Sequence, residues 1–172
     1  MNWSEKDLGI IIYCCSLLEE KAAEAYNHAA EIIGNKFISC LFRYISRDSL
    51  KHAEFLRSMS ETLAGNISAH PDECVKICGE AWLAPIKDAE RILGKREMSL
   101  DDLPPLIRGL ESIESFAAEE YLTALYVKLT ELMASEEKID LGYYKKILEW
   151  IIEDEEKHRQ ILKMIERLLA QS

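Results

Sequence analysis

Along four long stretches of this chain apolar residues recur at intervals of three and four, the period of an amphipathic helix rather than the alternation of a strand. The first stretch predicts a helix over about residues 5–34. Ser4 stands at its start as an N-cap with Asp7 three positions on, and Gly34-Asn35 supplies the stop. The second covers about 36–65 and the fourth about 141–169. The third, about 100–134, opens after Ser99 and carries Pro104-Pro105 in its first turn, where proline is tolerated because those amides have no intrahelical partner. Residues 66–99 read differently. His70-Pro71, Gly79, Pro85 and Gly94 break them into short helices or loops, which together make one long crossover. Short loop, long crossover, short loop predicts an all-α four-helix bundle with a single crossover between its second and third helices.

Composition narrows the classes of function. A chain of 172 residues is long enough for a single domain, 1–172, with a substantial core. A net charge of −10 opposes binding to nucleic acid or to an anionic membrane surface, since both would repel it. The apolar run from Leu8 to Leu18 is too short to span a bilayer. It follows acidic Glu5 and Asp7 rather than a basic segment, so it does not read as a signal peptide. The cysteines (Cys14, Cys15, Cys40, Cys74, Cys78) are odd in number and lack a zinc spacing, which predicts reduced thiols in a cytoplasmic protein.

The chain also repeats itself. Glu19, Ala22, Ala23, Glu24, Tyr26 and Ala29 are matched in spacing by Glu114, Ala117, Ala118, Glu119, Tyr121 and Ala124. Further on, Ile45, Asp48, Lys51, His52 and Leu56 are matched by Ile151, Asp154, Lys157, His158 and Leu162. The first set is offset by 95 residues and the second by 106, as expected for two related helix pairs with unequal internal loops. Glu155 and His158 are one turn apart on one helix face and can grip one ion together; the twin carries Ser49 in place of that glutamate. Interior carboxylates are costly unless paired or bound to metal. Glu19 and Glu114 facing His52 and His158 therefore predict a metal site. Glu24 and Glu119 lie about 140° from the ligand stripe and are expected outside it, and His28 and the two lysines are expected in solvent.

In these four motifs, spread over about residues 5–168, the chain resembles the ferritin-like superfamily and, within it, the rubrerythrin-related di-iron carboxylate proteins. The resemblance implies two iron ions, with manganese or zinc as substitutes. Glu19 and His52 would hold one, Glu114 and His158 the other, and Glu155 would bridge them. Asp48 and Asp154 would orient the histidines from behind, and Tyr26 and Tyr121 would hydrogen-bond to ligand carboxylates. It further implies reduction of hydrogen peroxide or dioxygen, with a homodimer as the expected assembly. Because the chain has no C-x-x-C pair to form a rubredoxin module, an external electron-donor protein is expected.

Ser49 departs from the family pattern, which has a second bridging glutamate there. Two ferrous ions carry four positive charges and only three carboxylates are at hand. The missing anion would be an exogenous hydroxide, peroxide or carboxylate, a swing of Glu111 from one turn before Glu114, or Asp48. The serine marks either a degraded site or a coordination position kept open. Two rival readings stand beside the peroxidase: a di-iron hydroxylase or oxygenase, which needs an apolar substrate pocket, and a non-catalytic bundle with a decayed site.

Overall fold

The computed structural model describes residues 5–115, 122–135 and 142–170. Among these residues every named element is helical, and the only β pairing is an isolated bridge between Ile33 and Met98. The elements are α1 (Glu5–Ile32), α2 (Lys36–Ala64), α3 (Pro71–Cys78), α4 (Leu83–Leu93), α5 (Leu103–Ser115), α6 (Thr123–Ser135) and α7 (Gly142–Leu169), with single 3-10 turns before α4 and α5.

Helices α1 and α2 form an antiparallel pair joined by a tight connection. Asn35 ends one and starts the other: its side chain accepts hydrogen bonds from the amides of Phe37 (3.0 Å) and Ile38 (3.1 Å). Three serine hydroxyls of α2 donate to carbonyls of α1 along the seam, Ser39 to Ala30, Ser46 to Ala23 and Ser60 to Gly9. Small residues let the backbones come this close. A Cβ added at Gly9 would lie 2.3 Å from the Ala64 Cβ, so glycine is required there.

The segment between α2 and α5 contains α3 and α4. His70 caps α3 in a reciprocal capping box with Glu73, so this histidine has a structural role. A disulfide between Cys14 and Cys74 ties α3 to α1, and the Trp82 indole donates to the Cys14 carbonyl beside it. The expectation of uniformly reduced thiols is therefore wrong for this pair. Cys14 and Cys74 are 60 residues apart, and only the folding of α3 back onto α1 brings them together. The expected third helix starts three residues later than the spacing suggested. Ser99 and Asp102 form a capping box on a 3-10 turn, and α5 follows with Pro104 and Pro105 in its first turn. Residues 116–121 and the proposed Ser4 cap lie outside the described residues.

The apolar core is in two main parts. One gathers Tyr26, Phe42, Ile45, Ile113 and Leu162; the other gathers Cys15, Leu56, Leu122, Leu148 and Ile151. The break falls at one level in all the long elements: between Cys15 and Ala22 in α1, Ile45 and Leu56 in α2, Ile113 and Leu122 around the end of α5, and Ile151 and Leu162 in α7. Buried polar side chains within those gaps form a layer between the two parts.

Candidate metal centre

That layer contains Glu19 from α1, Asp48, Ser49 and His52 from α2, Glu114 from α5, and Glu155 and His158 from α7, all buried. Because α2 and α7 run antiparallel, each histidine is presented to the aspartate of the other helix. His52 Nε2 lies 3.3 Å from Asp154 Oδ2, and His158 Nε2 lies 3.4 Å from Asp48 Oδ2. Engaging Nε2 outward turns both Nδ1 atoms inward, with the ring centroids 5.9 Å apart.

The inward nitrogens meet three carboxylates. His158 Nδ1 is 3.0 Å from Glu114 Oε2 and 3.6 Å from Glu155 Oε1. His52 Nδ1 is 3.0 Å from Glu155 Oε1 and 3.6 Å from Glu19 Oε2. Two groups result, Glu19–His52–Glu155 and Glu114–Glu155–His158, each offering ligand atoms within 4.8 Å of one another, and each able to hold a metal ion. Glu155 belongs to both. Ser49, at its twin position, is buried and supplies no carboxylate. Tyr26 closes the layer from α1 by donating its hydroxyl to Glu114 Oε1.

Charge explains why this layer fits a cation. Burial favours the neutral form of Glu155, and the nearby charges of Glu114 and Glu19 push its pKa further up. Burial alone would lower both imidazole pKa values. For His52 the nearby carboxylates of Glu155 and Glu19 outweigh it and raise the value to about 10. For His158 the hydrogen bonds to Asp48 and Glu114, with the Glu155 carboxylate beside them, raise it to about 12. Burial also opposes ionisation of Glu114, but its bonds to Glu155 and His158 hold it below the usual carboxylate range. Protons thus occupy the place of cations among these carboxylates. The occupation is imperfect: His52 Nδ1 and Glu155 Oε1 are fully buried, face each other, and have no hydrogen bond of acceptable geometry. Such orphaned buried atoms are unusual in folded proteins. A divalent ion between them satisfies both, and the donor set of imidazole and carboxylate suits iron, manganese or zinc.

The other singled-out residues among those described stand outside the two groups. Glu111 is half-buried on α5 and joins neither group. His28 is not simply solvated: its Nε2 lies 2.7 Å from the Lys95 carbonyl, which links α1 to the end of α4. Glu24 is exposed and pairs with Lys21. Tyr121 and Glu119 lie outside the described residues. Lys51 and Lys157 are exposed, as expected, and each is also paired. Their ammonium groups lie 2.5 Å from Asp48 and 2.7 Å from Asp154, so each aspartate bridges a surface lysine to a buried histidine. The repeated Asp-x-x-Lys-His spacing carried that signal.

Between α2 and α7 a cavity of about 270 Å³ has apolar walls from Phe55, Ile147 and Trp150 and reaches His52 and Asp154. No helix among the described residues is long and apolar enough to cross a membrane. Compared with protein-family models, with curated proteins and with solved structures, the chain gives no match in any of the three.

Proposed function

We propose that this chain is a ferritin-like, rubrerythrin-related di-iron protein, a four-helix bundle with a long crossover, that reduces peroxide or dioxygen at a carboxylate-bridged centre. The observation that carries the reading is Glu155, whose one oxygen stands 3.0 Å from His52 Nδ1 and 3.6 Å from His158 Nδ1 and makes no hydrogen bond. A buried carboxylate within reach of both histidines supports a bridging role between two metal ions. In this reading Glu19, His52 and Glu155 hold one ion, and Glu114, His158 and Glu155 the other. Bound as ferrous ions, the pair would supply two electrons to the oxidant.

The chain's own groups do the rest. Asp154 and Asp48 hold the imidazoles with Nε2 outward, so that Nδ1 is the ligand. Tyr26 fixes the Glu114 carboxylate and holds a proton in the layer, its own pKa raised by burial and by Glu114. Ser49 stands where its twin position carries Glu155 and supplies no carboxylate, and in this reading that position receives the oxidant. An external protein donor renews the electrons. The test is to load the chain anaerobically with ferrous iron and mix it with hydrogen peroxide in a stopped-flow spectrometer. Oxidation of bound iron at least tenfold faster than of iron in buffer supports the reading; equal rates reject it.

The cavity beside His52 favours a second reading, a di-iron hydroxylase, because Phe55, Ile147 and Trp150 would shelter an apolar substrate. An apolar compound that is itself oxidised during turnover would establish that reading over peroxide reduction.

A further inference from the structure

Four of the five cysteines gather at the lower edge of the polar layer. Cys14 and Cys74 form the disulfide, while Cys15 and Cys78 keep their thiols. The disulfide fixes α3 against α1 at this level. Cys15 follows Cys14 in α1, and Cys78 is one helical turn after Cys74 in α3. Cys78 packs against the apolar group that holds Cys14, Cys74 and Trp82, and also against the group that contains Cys15. It is half-exposed, whereas Cys15 is buried. Cys15 in turn stands one turn before Glu19 on the same helix, about 6 Å along the axis. Burial, then the neighbouring Cys78, then Glu19 all push the Cys15 thiol towards its protonated form. A chain of groups therefore runs from the surface at Cys78, through Cys15, to the Glu19 side of the candidate centre.

We propose that Cys15 and Cys78 are a redox-active dithiol that closes to a second disulfide and delivers two electrons to an oxidant at the Glu/His centre. This deepens the peroxide-reducing reading and rests on it, since it assigns the last carrier between an external reductant and the centre. The balance is complete. The two thiols lose two protons and two electrons as the S–S bond forms; hydrogen peroxide gains both pairs, its O–O bond breaks, and two waters leave. A thiol reductant attacks the sulfur of half-exposed Cys78, which releases Cys15 as a thiol and leaves a mixed disulfide on Cys78; a second thiol then frees Cys78. Cys14–Cys74 is the scaffold that holds the two thiols in register.

The test uses full-length protein carrying Cys40→Ser, which removes the exposed thiol on α2. Iron-loaded and metal-free forms receive one equivalent of hydrogen peroxide. Remaining thiols are blocked with an alkylating agent, and disulfides are mapped by peptide mass spectrometry; bound iron is counted separately. A Cys15–Cys78 link forming at least tenfold faster in the iron-loaded protein, and absent in Cys78→Ala, is the expected result. A link forming equally fast without iron overturns the coupling, as does peroxide consumption by iron-loaded protein that leaves both thiols intact; in that last case the peroxidase reading survives. A chain that holds no iron at this centre overturns both.

Discussion

Removing the aspartates behind the two histidines should weaken metal binding unequally, and one half of the centre at a time. Asp154 contacts His52 at 3.3 Å and Asp48 contacts His158 at 3.4 Å, so distance does not distinguish them. Exposure does: the Asp154 side chain is 23% exposed and that of Asp48 10%. A bond further from water is less screened, and Asp48 also backs the histidine with no exposed surface, His158. Losing a carboxylate that orients a ligand histidine costs about 10–100-fold in metal affinity, or roughly 1.4–2.8 kcal/mol. Asp154→Ala should fall near the lower end and Asp48→Ala near the upper. Because each aspartate backs one histidine, each variant should weaken one of two binding steps and leave the other close to wild type. Competition titration against a chromophoric chelator resolves the two steps for a divalent ion. Lys51→Ala and Lys157→Ala, which remove only the exposed partners, should shift affinity a few-fold at most. Affinities within about twofold of wild type for both aspartate variants, or a larger loss from Asp154→Ala, would refute the reasoning.

Other perturbations reach different parts of the account. Gly9→Ala forces α1 and α2 apart against Ala64 and should cost about 1–3 kcal/mol of stability, whereas Gly109→Ala, where an added Cβ meets nothing within 4 Å, should be neutral or stabilising; thermal denaturation of the two separates close packing from helix propensity. In metal-free protein both histidine pKa values are raised, from 6.5 to about 10 and about 12, so the stability from their charged forms is fully present below about pH 6.5 and is lost as pH rises through 10 to 12. Melting curves should show that alkaline loss without metal and little of it with metal bound; a flat metal-free profile counts against the charged pairs. Ser49→Glu should bind metal at least as tightly as wild type. If the serine keeps a position open, reaction with peroxide slows in this variant, and faster turnover would instead mark a decayed site restored.

What could be read from the sequence was whatever repeats or has a period. The helices follow from apolar spacing, and the meeting of Glu19, His52, Glu114, Glu155 and His158 follows from a duplication that places each at the same relative level. Antiparallel packing of α2 on α7 then brings Asp154 to His52 and Asp48 to His158. Non-repeated long-range contacts left no such trace. The Cys14–Cys74 bond depends on how α3 folds back, and neither cysteine has a counterpart in the second half. His28 faces Lys95 only because α4 ends beside α1. The true start of α5 depended on a competition between Ser99 capping and the prolines that spacing alone did not resolve. The lysines are exposed as expected, but their pairing left no trace, because an ammonium and an aspartate three residues earlier look like a solvated face and the aspartate's second bond lies on another helix.

The account rests on Glu155 as the group shared by two metal ions, and counting ions per chain tests it most directly. Protein reconstituted with ferrous iron, freed of excess metal and weighed by native mass spectrometry should carry two ions. Glu19→Ala should leave one, while Glu155→Ala, which removes the one carboxylate common to both groups, should weaken both together. Two ions retained at full affinity in Glu155→Ala, or none bound by the wild-type chain, would contradict it.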